Sequence, residues 1–144
     1  MACEYRMMHR VEFTDTDMAG IIHFSAFFRY MEVTEHAFFR SLGLSIQTRD
    51  GNRALGWPRV RVECEFSSPL RFEDEVEVHL RVREKRSKSL TYDFRFRKQD
   101  VEVAKGSLTA VCVAEESGRM KAVTIPALVA DRIQVAPEWQ GQTG

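Results

Sequence analysis

The 144-residue chain sets 21 Lys and Arg against 21 Asp and Glu, and this zero net charge speaks against a general nucleic-acid binder, which would show a basic excess. Its three cysteines (Cys3, Cys64, Cys112) have no CxxC spacing and its four histidines match no ligand pattern, so neither a disulfide scaffold nor a metal site is expected. The opening MACEYRMMHR lacks the apolar run of a signal peptide, and no stretch approaches the roughly 20 apolar residues of a membrane span; a cytoplasmic protein is expected, with one domain over residues 1–144 and its core at about 5–133.

Residues 4 to 13 alternate loosely around Tyr5, Met7 and Val11 and predict a first strand. A short acidic loop, Thr14 to Asp17, then runs through Ala19 and Gly20 into a helix predicted over about 25–42. Phe24, Phe27, Phe28, Met31, Phe38, Phe39 and Leu42 recur with the spacing of one buried helical face. Ser25 is the candidate N-cap, and Gly43 stands at the expected left-handed stop with Leu44 to pack back on the last turn. Residues 45–58 carry the turn signals Asp50-Gly51, Gly56 and Pro58 and read as a loop.

From Arg59 the period changes to two. Val60, Val62, Cys64 and Phe66 alternate with charged residues and predict a half-buried strand, bent at Ser68-Pro69. Val76, Val78, Leu80 and Val82 mark a second run, and Leu90, Tyr92, Phe94 and Phe96 a third. The polar stretch Lys85 to Ser89 joins them. Gln99-Asp100 is a hairpin turn, residues 101–113 a fourth run, 115–118 a turn and 120–125 a short extended piece. Pro126 opens a short final helix over 127–133, and the tail after Pro137 reads as frayed. One early helix followed by a meander of antiparallel strands is an α+β pattern. Such long strands leave sheet edges, which usually pair across a symmetric dimer.

The chemistry gathers at the start of the helix. A helix N-terminus presents unpaired N–H groups and partial positive charge. Asp15 and Asp17 lie just before it, and a carboxylate held there can do chemistry on a group that those donors polarise. The plainer alternative is that both aspartates cap turns or the helix dipole. Glu35 falls on the apolar stripe, where an unpaired carboxylate is costly; it either pairs with an arginine, reaches an interface cavity, or serves as a reserve catalytic group. The basic run Arg83, Lys85, Arg86, Lys88, with Ser87 and Ser89, suits phosphate or is simply a solvated strand end.

The run DTDMAGIIHFSAFFRY, residues 15–30, resembles the signature of the 4-hydroxybenzoyl-CoA thioesterase-like branch of the hotdog-fold superfamily. FSSPLRFEDEVEV, EKRSKSLTYDF and GRMKAVTIP follow in matching order. The resemblance spans roughly residues 5 to 133. It implies a hotdog fold, one long helix wrapped by an antiparallel sheet of about five strands. It also implies homodimers or dimers of dimers, and hydrolysis of an acyl-CoA at the subunit interface. No cofactor is implied, coenzyme A being part of the substrate.

Carried over residue by residue, the resemblance makes Asp17 the nucleophile or general base, and the backbone N–H at Phe24 the oxyanion donor. Asp15 is then a loop-shaping side chain. Gly20 would allow close approach to the thioester, or is a turn glycine. His23 departs from the family, which often has an aromatic residue there; it would orient water or contact the acyl group, or simply pack. Arg86, Ser87 and Lys88, with Ser89 beside them, fall where the family contacts the nucleotide end. Set against this enzyme is a second class, a non-catalytic acyl-CoA or lipid-binding hotdog protein. A hotdog dehydratase would need a His–Asp pair on another segment, and none is found.

Overall fold

The structure, a computed structural model, describes residues 2–139. Strand β1 (Glu4–Arg10) leads through a 3-10 turn (Phe13–Asp15) to helix α1 (Phe24–Ser41). Then come β2 (Arg49–Asp50), β3 (Arg53–Gly56), β4 (Arg59–Phe66), β5 (Glu75–Lys85), β6 (Ser89–Lys98), β7 (Val101–Val111), β8 (Val113–Glu116), β9 (Arg119–Ala122) and α2 (Ala127–Ala130). Five strands form an antiparallel sheet in the order β1-β5-β6-β7-β4, with α1 packed on its inner face. This is the α+β hotdog arrangement. A second, four-stranded sheet, β2-β3-β8-β9, accompanies it.

The helix forms where its periodicity places it. Phe27, Met31, Phe38 and Phe39 are buried against Val78, Leu80, Phe94 and Phe96, and each such side chain contributes about 1.5–3 kcal/mol by leaving water. Phe24, the first of the apolar positions, is instead 59% exposed. The C-terminus ends as expected: Leu44 N–H donates to Phe39 O, Gly43 N–H donates to Arg40 O, and Gly43 takes φ +75°. Strand β7 presents small residues to the helix. A Cβ on Gly106 would stand 2.3 Å from Met31 Cε and 2.6 Å from Glu63 O, so this glycine sets how closely α1 can lie on the sheet.

Several boundaries differ from expectation. The segment 45–58 is not all loop, because β2 and β3 lie in it and β3 pairs with β8 through Leu55 and Ala114. The run 101–113 splits at Cys112, whose N–H turns to Lys88 O. Glu115 and Glu116 belong to β8 and not to a turn, and α2 stops at Ala130. Ala136 N–H donates to Val82 O, and of the tail after Pro137, Trp139 is not frayed but packs against the guanidiniums of Arg81 and Arg95. The rest of the tail lies outside the described residues. Strand β4 carries the largest departure. Val60, Val62 and Phe66 are 61%, 43% and 50% exposed, on a strand that stands at the edge of its sheet.

Candidate active site

The acidic loop is built by Asp15. Its carboxylate accepts from Arg29 Nη2 at 2.9 Å, the Tyr30 hydroxyl at 2.6 Å and Glu12 N–H at 3.0 Å. Its backbone oxygen accepts from His23 N–H at 2.7 Å. Burial pushes its carboxyl up, but the Tyr30, Glu12 and Arg29 donors outweigh that and hold it below the usual range. Asp15 is therefore the loop-shaping aspartate.

Asp17 is held more loosely. It is exposed, its Oδ1 accepts from Ala19 N–H at 2.9 Å, and Oδ2 has no partner among the described residues. A turn closes behind it, with Asp17 N–H donating to Ile21 O and Gly20 N–H to Asp17 O. Gly20 takes φ +77° in this turn and a Cβ there would meet open space. The turn thus accounts for Gly20 as a glycine.

The helix cap differs from expectation. Ser25 lies inside α1, and His23 is the N-cap: its Nδ1 accepts from Ser25 N–H at 3.2 Å and lies 2.8 Å from the Ser25 hydroxyl. His23 also stacks on Phe24, with ring centroids 4.5 Å apart. One ring nitrogen is thus committed to holding the helix start. The Phe24 N–H opens α1, where helical geometry offers no intrahelical acceptor.

A cavity of about 460 Å³ joins these parts. Asp17 and Phe24 line it with Ile21, Phe27, Phe66 and Pro69. It also includes the hydroxyl-bearing Ser67 and Ser68. Of these, Asp17, Ile21, Phe24 and Phe27 stand near the acidic loop in sequence, and Phe66 to Pro69 do not. The strand end at Phe66 to Pro69 arrives because Ile22 N–H donates to Leu70 O at 2.7 Å. Sequence reasoning placed these four residues in a family signature without assigning them to the site. A separate hollow of about 360 Å³ on the outer sheet face is lined by Arg83, Arg95 and Lys105 together with Glu63, Glu65 and Asp93. These charges pair with neighbours, as in Arg83–Asp93 and Lys105–Glu65, and they outnumber its apolar members Cys64, Phe94 and Trp139.

Two other groups sit elsewhere. Glu35 is fully buried against the sheet and Arg59 donates to both of its carboxylate oxygens. Burial pushes its carboxyl up, with the Arg59 guanidinium pulling against the rise. Nothing opens Glu35 to the Asp17 cavity, and the arginine-paired alternative is the one observed. Arg86, Ser87 and Lys88 form the β5–β6 hairpin, tied by Ile125 N–H to Ser87 O and Cys112 N–H to Lys88 O. Ser89 begins β6. Arg86 pairs with Glu84 at 2.8 Å and is well exposed. Lys85 is turned away, its Nζ donating to Ala130 O and Ile133 O. Within one chain this hairpin is not brought to Asp17. The acidic loop abuts the Glu75 end of β5, and the hairpin caps the Lys85 end, on the order of 30 Å along the strand.

The comparisons with known proteins agree with this fold. The model of the thioesterase-like superfamily matches residues 11–133. A hypothetical protein of Aquifex aeolicus is 32% identical, superposes with a TM-score of 0.82 and covers 90% of this chain and 99% of its own. A gentisyl-coenzyme A thioesterase is 29% identical, with a TM-score of 0.77 over 88% of this chain and 99% of its own. A 1,4-dihydroxy-2-naphthoyl-CoA hydrolase of Synechococcus sp. (strain CC9311) is 26% identical over 84% of each chain.

Proposed function

The chain belongs to the thioesterase-like superfamily, and we propose that it hydrolyses the thioester bond of an acyl- or aroyl-CoA in the cavity beside Asp17. One observation carries the reading: a carboxylate oxygen with no partner among the described residues lines an apolar cavity together with Phe24, the first residue of an α-helix. The carbonyl oxygen of the thioester is held by the Phe24 N–H, where the helix dipole stabilises developing negative charge. Asp17 either attacks the carbonyl carbon or takes a proton from the water that does. By either route the C–S bond breaks, one water is consumed, and a carboxylic acid and the coenzyme A thiol leave. His23 acts by fixing the helix start and Gly20 by closing the turn behind Asp17. No cofactor is required. The wall of phenylalanine and isoleucine suits an apolar acyl body, and the two relatives named for aroyl-CoA substrates support an aromatic one. A screen of aromatic, short and long acyl-CoA esters tests this. Aromatic esters should be turned over fastest, and equal or better turnover of long-chain esters would overturn that preference.

The working unit is a homodimer at least. Among the described residues strand β4 pairs with β7 alone, and its exposed Val60, Val62 and Phe66 are an apolar margin that a second copy would cover. Light scattering on dilute protein should give twice the chain mass or a multiple of it. A fully active monomer would contradict both the assembly and a site shared between chains.

Arg86, Ser87, Lys88 and Ser89 would then hold the nucleotide end of coenzyme A bound to the Asp17 of another chain. Charge–phosphate contacts at an exposed hairpin are screened by salt. Arg86→Ala with Lys88→Ala should raise KM several-fold, more at low salt than at high salt. The Arg86–Glu84 pair that is also lost is exposed and contributes little. A truncated thioester of the same acyl group, lacking the nucleotide, should react equally with wild type and the double variant. Equal losses on both substrates would mean damage to the fold, and no loss on either would return the hairpin to a solvated strand end.

A further inference from the structure

Tyr30 is buried in α1 two turns beyond the cap, lines no part of the Asp17 cavity, and yet makes the shortest hydrogen bond to the acidic loop. We infer that Tyr30, acting through Asp15 with Arg29, is a positioning residue for the Asp17 reaction. The inference rests on the hydrolytic reading of that cavity. Asp15 joins three pieces of chain: its carboxylate takes Glu12 N–H from the 3-10 turn and the Arg29 and Tyr30 groups from α1. Its backbone oxygen takes the N–H of His23, the residue that caps α1. Asp17 lies two residues after Asp15, and the Phe24 N–H one residue after His23. The Asp17 carboxylate and the donor that polarises are therefore both referred to the same buried residue, Asp15.

Tyr30 is itself held. The His9 imidazole from β1 stacks on its ring with centroids 4.7 Å apart and planes 5° from parallel. Burial and the Asp15 carboxylate push the Tyr30 hydroxyl well above its ordinary range, so it remains a donor. The ring is thus fixed by β1 and the core, and its hydroxyl carries that rigidity into the loop. Arg29 approaches the other carboxylate oxygen from solvent and is replaceable by water. Tyr30 is shut in and is not.

Tyr30→Phe keeps the ring and removes only the hydroxyl. It should lower kcat about tenfold with KM nearly unchanged, because small displacements of reacting groups cost rate more than binding. Amide exchange should speed up at His23 and Ala19, whose N–H groups are bonded within the loop, while the β6 and β7 amides stay as protected as in wild type. Arg29→Gln, at a half-exposed position, should produce the same pattern more weakly. Unchanged kcat and unchanged His23 exchange in Tyr30→Phe would overturn the inference, as would a general loss of protection through β6 and β7, which marks a purely structural role. Faster exchange confined to the loop, in a protein whose wild type releases no thiol, would overturn the hydrolytic reading instead and leave the restraint standing.

Discussion

Asp17→Asn should remove most thioesterase activity and leave the fold intact. The substitution keeps size and shape, and the amide oxygen can still accept from Ala19 N–H, so the turn survives. What is lost is negative charge on the oxygen that faces the cavity. An amide neither attacks a thioester nor takes a proton from water at neutral pH. Loss of a general base costs about 10²–10⁴-fold, and loss of a nucleophile can cost more. Asp15→Asn should cost less, because its injury passes through geometry. Near wild-type turnover by Asp17→Asn, or a larger loss at Asp15, would place the chemistry on another group.

Arg59→Ala should produce the largest loss of stability. Glu35 is wholly buried, and its compensating charge is the Arg59 guanidinium reaching in from the edge strand. Removing one partner of such a pair leaves a buried charge uncompensated, at a cost of about 3–5 kcal/mol. Arg59 is itself partly exposed, which favours the lower end. For a chain of this size that is a fall in Tm of about 10 °C. The loss should also depend on pH. Burial already raises the Glu35 carboxyl in the folded state, so the unfolded chain ionises first. Stability from this group is fully present below the unfolded value and declines as pH rises through the folded one. Without Arg59 the folded value rises further, and the variant should be weakened more at pH 8 than at pH 5. Glu35→Gln should retain turnover while changing stability. A collapse of kcat in a well-folded Glu35→Gln would restore it as a catalytic group. Calorimetry of both variants across that pH range is the check.

The helix was legible because Phe27, Met31, Phe38 and Phe39 repeat at a spacing only a helix can bury on one face. Its beginning was not. Serine is a common cap, but here Asp15 O holds the His23 N–H and so places His23, not Ser25, at the boundary. The alternation of β4 correctly announced a strand, yet alternation says nothing about what covers the apolar face, and in a single chain Val60 and Val62 are uncovered. Strands β2 and β3 were invisible for another reason. They exist through a few long-range pairs, such as Leu55 with Ala114, and short segments carry no period of their own. Asp17 could be chosen from its motif, but Phe66 to Pro69 join its cavity through long-range contacts, the Ile22–Leu70 bond and the packing of Phe66 on Phe27. The partner of Glu35 lies 24 residues away on another element, so the sequence posed the need for an arginine without naming it.

The most direct test of the central claim is release of the coenzyme A thiol from an aroyl-CoA, counted per chain, by wild type and Asp17→Asn side by side. The account predicts many thiols released per wild-type chain, with the variant slower by about 100-fold or more. Saturable binding of the ester by the wild-type protein with no thiol released beyond one per chain would contradict it, and would make the chain an acyl-CoA-binding member of its superfamily.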